Sequence, residues 1–160
     1  MKVTLKNVPW SFRHGLIRRC CHFVLSQFLS PQKLDRLEIE IIGHKDLASK
    51  YSAVGFCQAS DEHYGSGKRV PDWFTIEIDT SIDTMQFFSV LCHELVHVKQ
   101  YTTRQLRENH YPRYRLMWKD KDVTNAYYSQ SPHECEAYRK ELKLLSQFIQ
   151  WMDDNNWRFE

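Results

Sequence analysis

The sequence predicts an α+β fold: a small antiparallel or mixed sheet packed against an N-terminal helix, a central helix and a C-terminal helix. Two observations carry this. Short stretches of two-residue alternation fall in the first half of the chain, and long stretches of three- and four-residue periodicity fall mostly in the second half. No regular strand–helix–strand alternation of the kind that builds a parallel sheet is visible, which favours an antiparallel or mixed sheet with helices packed against it. With 160 residues, 42% hydrophobic and 26% charged, the chain has an ordinary globular composition and can form a sizeable core. The expectation is one domain over residues 1–160.

Each element follows from its pattern. Val3 and Leu5 alternate with polar neighbours and predict a short first strand. Phe12, Leu16, Cys20, Phe23, Val24 and Phe28 recur at helical steps, so residues 11–29 should form a helix that stops before Pro31. Leu37, Ile39 and Ile41 alternate with Glu38 and Glu40, a half-buried strand. Val54 and Phe56 suggest another strand, weakened by Gly55. A polar loop over 60–72 ends at Pro71, and Phe74, Ile76 and Ile78 then give the clearest strand. If that strand, 73–79, is an exposed sheet edge, an extended peptide can pair with it; an internal strand is the alternative. A helix should run from Ser81 or Thr84 to about Leu106, and a last helix from Pro132 to Met152. Between them, Tyr114–Trp118 and Val123–Tyr128 suggest a hairpin across Lys119–Asp122, although that turn lacks glycine.

The net charge of +2 gives no nucleic-acid signal, and neither a membrane span nor a signal-peptide pattern is present. Five cysteines, an odd number without Cys-x-x-Cys, argue against a disulfide framework or a cysteine-rich zinc site. They fit a reducing cytoplasm. Gly65-Ser66-Gly67-Lys68 lacks the spacing of a phosphate-binding loop and reads as a turn. Arg13, Arg18 and Arg19 read as a solvated helix face.

Chemistry concentrates in Leu91-Cys92-His93-Glu94-Leu95-Val96-His97. On a helix, residues i and i+4 share a face, so His93 and His97 can present two imidazole nitrogens to one metal ion. Glu94, about 100° around the axis, can reach a water on that metal and act as a base. Phe88, Leu91, Leu95 and Val98 form the opposite, apolar side, while Val90 and Tyr101 imply that the histidine face is covered as well. Cys92 points sideways and is not a ligand.

Zinc used in catalysis takes three protein ligands and leaves a fourth position open. A third histidine spaced as His-x-x-Gly-x-x-His fails, because those positions hold Gln100 and Thr103. His110 lies beyond the helix. Glu134 and Glu136 open the last helix. With Tyr138, Leu142, Leu145, Ile149 and Met152 as the buried stripe, Glu134 continues it, whereas Glu136 should face solvent. Glu141, two turns on, is expected to support the site or to form a salt bridge. Ser131-Pro132-His133-Glu134 also matches a capping box, in which Glu134 would bond only the Ser131 backbone.

His93–Tyr101 together with Ser131–Tyr138 resembles small phage and bacterial SprT-like metallopeptidases, whose minimal fold is a miniature gluzincin. The match covers residues 88–101 and 131–141. The resemblance implies a zincin-like fold, one zinc ion held by His93, His97 and Glu134, the last within a Glu-x-x-Ala pattern completed by Ala137, and Glu94 as the catalytic base. It further implies hydrolysis of a peptide or protein substrate in the cytoplasm, that of the host if the chain is phage-encoded. Relatives carry tryptophan where this chain has His133, and glycine in the hairpin where it has Asp120. DNA-repair members of the SprT group use a third histidine, so no DNA-linked role is implied. Tyr138, Tyr127, Tyr128 and His110 are the candidates for a second oxyanion donor. The alternatives are a zinc-binding module without turnover and a metal-free interaction or regulatory protein on the same scaffold.

Overall fold

A computed structural model describes residues 1–60, 70–110 and 112–158. Five helices and seven strands alternate along the described residues: β1 (Lys2–Lys6), α1 (His14–Ser26), α2 (Pro31–Arg36), β2 (Glu38–His44), α3 (Leu47–Tyr51), β3 (Gly55–Ala59), β4 (Trp73–Asp79), α4 (Thr84–Thr102), β5 (Leu106–Asn109), β6 (Arg115–Trp118), β7 (Lys121–Asp122) and α5 (Pro132–Asp154). The turn expected over Gly65–Lys68 lies outside the described residues.

The fold is α+β with a mixed sheet of order β1-β2-β4-β3. β1, β2 and β4 are parallel to one another, and only β3 is antiparallel. This corrects two expectations. A strand–helix–strand crossover is present after all, running from β1 through α1 and α2 to β2. Its signature was obscured because the first strand has only five residues and the helical segment is broken. A short 3-10 turn, Trp10–Phe12, precedes α1, and Arg13 separates them with φ of 50°. The second correction concerns the strand over 73–79. Phe74, Ile76 and Ile78 are fully buried, and the strand lies between β2 and β3 rather than at an edge. The edge strand on this side is β3, which alternation suggested only weakly.

The second, smaller sheet has order β5-β6-β7. Leu106, expected at the end of the central helix, instead starts β5. Arg104 at φ 60° turns the chain away from α4, and Leu106 packs into the core. The hairpin pairs β6 with Lys121–Asp122 rather than with Val123–Tyr128. Lys119 and Asp120 both have positive φ (45° and 68°), the conformation a two-residue loop requires, so the turn forms without glycine.

α4 packs against α1 and α5 and runs along β3 and β4. Asp83 caps its N-terminus by accepting from the Gln86 N–H at 2.9 Å. Phe88 and Phe148 stack with ring centroids 5.9 Å apart and join α4 to α5. Burying a side chain of that size contributes about 1.5–3 kcal/mol. The thiols of Cys20 and Cys92 meet in this core at 4.0 Å, and all five cysteines are free. At the end of β4, buried Asp79 accepts from the Ala48 N–H (2.9 Å) and from the Ser81 N–H and hydroxyl (2.8 and 2.6 Å). These bonds fix α3 beside the N-terminal half of α4 and hold the Asp79 carboxyl below its ordinary range, against the upward effect of burial.

Candidate metal centre

The i, i+4 spacing on α4 puts the His93 and His97 Nε2 atoms 3.2 Å apart. α5 crosses α4 with its first turn over them, and Glu134 brings Oε2 to 3.2 Å from His93 Nε2 and Oε1 to 3.4 Å from His97 Nε2. All three residues are buried, and together they form a group able to hold one metal ion. Tetrahedral zinc with ligands at about 2.0–2.1 Å separates its donor atoms by roughly 3.3–3.4 Å. The observed spacings therefore match the edges of such a site.

The outer ring atoms reinforce this. His93 Nδ1 donates to Glu141 Oε2 at 2.9 Å, and His97 Nδ1 donates to Gln100 Oε1 at 2.9 Å. Both partners accept, so the protons of neutral rings sit on Nδ1 and leave two Nε2 lone pairs converging with a carboxylate. Only a cation or added protons can satisfy that arrangement. Without a metal, protons do so. Burial alone would lower the His93 pKa, but hydrogen bonds to Glu134 and Glu141 lift it to about 9. His97 is raised in the same way, against burial, by Glu134 and by the charge of Glu94. Burial would raise Glu134, yet the two imidazoles hold it well below the usual carboxylate range.

Behind His97 lies a buried polar chain. Gln100, fully enclosed, donates through Nε2 to the His133 carbonyl and to Glu136 Oε2, both at 2.9 Å. Glu136 also accepts from Lys99 Nζ at 3.1 Å. These bonds fix the Gln100 amide and hence the His97 ring, as outer partners of metal-binding histidines do. Glu136 was expected to face solvent. Its side chain is instead only 16% exposed, because the last turns of α4 bring Lys99 and Gln100 against it. The expected buried stripe of α5 is also rotated. Tyr138 and Leu142 are exposed, and Ala137, Leu144, Leu145, Phe148 and Met152 face the core. Glu134 lies on the true stripe as well, so its placement holds.

The capping box does not form. Ser131 makes no side-chain cap, and its hydroxyl donates to the Tyr127 carbonyl at 3.3 Å. Glu134 is thereby left to the imidazoles. Glu141 supports the site, as expected, through His93. His133 adds a buried imidazole beside Glu134, with Nε2 at 3.6 Å from Oε1.

Glu94 is buried next to this group, and burial pushes its carboxyl up to about 7. It lies where two cavities meet, of about 460 and 380 Å³. Both are lined by Ser52, Ala53, Gly55, Glu94 and Tyr128. Gly55 is required here: a Cβ on it would stand 2.5 Å from Val90 Cγ1 and 2.8 Å from Glu94 Oε1. The edge strand therefore passes directly over the motif helix at Glu94. Of the four oxyanion candidates, Tyr128 and Tyr138 line the cavities, whereas Tyr127 and His110 do not. Burial and the nearby charge of Glu134 push the Tyr128 hydroxyl well above the ordinary tyrosine range.

The residues that sequence reasoning missed are Gln100, Glu136 and Gly55. Gln100 carried a signal, since it lies three residues after His97 on the same helix face. The other two depend on which elements meet. No helix among the described residues is long and apolar enough to cross a membrane. No family model, curated protein or solved structure matches the chain.

Proposed function

We propose that the protein is a zinc-dependent peptidase of the SprT-like, minimal-gluzincin type on a zincin-like fold. The observation that carries this reading is the convergence of His93, His97 and Glu134 at tetrahedral-edge spacing with Glu94 beside them, at the junction of two cavities. The donor set, two neutral imidazoles and a carboxylate, suits zinc, with one position left for water or substrate. Bound zinc would polarise a scissile carbonyl and make a water acidic enough to lose a proton near neutral pH.

The chain's own residues do the rest. Glu94, poised near neutrality, accepts the proton of the attacking water and returns it to the leaving amine. Glu141 and Gln100 keep the histidine protons on Nδ1, so that both Nε2 atoms serve as ligands. Tyr128, which lines both cavities and lies near Glu134, would donate to the developing oxyanion. β3, at the sheet edge above Glu94, offers main-chain groups to an extended peptide.

The test is zinc stoichiometry by elemental analysis of the purified chain, with mass-spectrometric detection of cleavage in a pool of unstructured peptides. One zinc per chain and cleavage lost on chelation are expected. Zinc without cleavage would leave the non-catalytic zinc module, and no stoichiometric zinc would leave the metal-free scaffold.

A further inference from the structure

The cavity of about 380 Å³ runs from His97, Glu134 and Glu94 to the second, smaller sheet. Its far part is walled by Phe56, Cys57, Tyr101, Leu106, Tyr114 and Leu116, and Glu108 is set among them. Tyr101, buried, donates its hydroxyl to Glu108 Oε1 at 2.6 Å and fixes the carboxylate in place. The other oxygen lies 3.6 Å from His110 Nε2, beyond ordinary hydrogen-bond distance. Among the described residues no lysine or arginine lines either cavity, although the chain as a whole carries a net charge of +2. The carboxylates Glu94, Glu108, Glu134 and Glu141 all line them.

An apolar, aromatic sleeve with one anchored carboxylate suits a particular side-chain chemistry. The methylene stem of arginine or lysine packs on such walls, its cation stacks on tyrosine or phenylalanine faces, and the carboxylate provides the counter-charge. A purely apolar side chain would leave Glu108 with only the Tyr101 hydroxyl and the more distant His110 imidazole as partners, and an acidic one would be repelled. We propose that this cavity is a specificity subsite that takes a basic residue of the bound peptide, with Glu108 as its counter-ion. The inference rests on the peptidase reading only in taking the ligand to be a peptide.

The experiment measures binding separately from cleavage. Zinc-loaded Glu94→Gln protein is titrated with labelled decapeptides of alanine, leucine and serine carrying one arginine, moved along one position at a time. Each peptide is paired with its citrulline counterpart, which keeps the shape and removes the charge. In at least one register arginine is expected to bind about tenfold more tightly than citrulline. Adding Glu108→Gln, which keeps an acceptor for Tyr101, should bring that ratio close to one. Equal binding of arginine and citrulline in every register, a preference that survives Glu108→Gln, or no binding at all would overturn the subsite. The arginine–citrulline comparison uses unaltered Glu108, so it stands even if the second variant misfolds. Cleavage by the chain with Glu94 intact is read in parallel. Arginine preference without cleavage would sink the peptidase reading and leave the subsite, and cleavage indifferent to charge would do the reverse.

Discussion

Glu134 and Glu136 lie two residues apart on α5, and replacing each in turn separates direct ligation from support. Glu134 contributes one of three donor atoms and the only negative charge among them. Sites with four protein ligands bind zinc with about 10–16 kcal/mol, or roughly 2.5–4 kcal/mol per ligand. Glu134→Ala is therefore expected to weaken zinc on the order of 10²- to 10³-fold. Glu136 is two hydrogen bonds from His97, through Gln100. Outer partners of ligating histidines are worth roughly 10- to 100-fold, and one step further out Glu136→Ala should cost about tenfold or less. Gln100→Leu, which removes the acceptor for His97 Nδ1–H itself, should fall between the two. Affinities are read by competition with a chromophoric chelator, and circular dichroism verifies folding. Equal losses for the two glutamates, or a greater loss for Glu136→Ala, would refute the assignment of Glu134 as ligand and the role given to Gln100.

Three further outcomes are expected. Glu94→Gln should keep zinc and the folded state while abolishing peptide hydrolysis, measured by mass spectrometry; undiminished turnover would exclude Glu94 as the base. Because the His93 pKa in the metal-free protein is raised to about 9 from an ordinary value near 6.5, protonated His93 stabilises the metal-free fold below about pH 6.5, and that contribution fades as pH rises through about 9. Zinc competes with that proton, so its apparent affinity should climb over the same interval, with proton release detectable by calorimetry in two buffers; a flat profile would contradict protonation of His93. Gly55→Ala should lower the melting temperature by the equivalent of about 1–3 kcal/mol, because its Cβ meets Val90 and Glu94. Gly15→Ala, in α1 with nothing within 4 Å, should not destabilise and serves as the control.

Where each element's own periodicity decided its structure, the sequence was legible. The strands around Ile39–Ile41 and Phe74–Ile78, the central helix and the C-terminal helix all follow local alternation or helical steps. The pairing of His93 with His97 needed only the pitch of one helix. Glu134 was found with a buried stripe that the structure rotates, because it lies four residues before Tyr138 and three before Ala137 and so falls on both faces. Edge and interior positions were not legible. β4 is uniformly apolar on one face whether it is paired on one side or both, and the outcome depends on where β3 docks.

The sequence alone therefore determined which side chains carry chemistry and which share a helix face, since both are properties of consecutive residues. The tertiary structure decided what surrounds them. It set Glu141 as acceptor for the His93 proton, tied Gln100 to the first turn of α5, turned Glu136 inward onto Lys99, placed β3 over Glu94, and put Glu108 at the far end of a cavity. These relations join residues tens of positions apart through the packing of α4 against α5 and the edge of the sheet. Local spacing along the chain does not encode which faces of two separate elements come into contact.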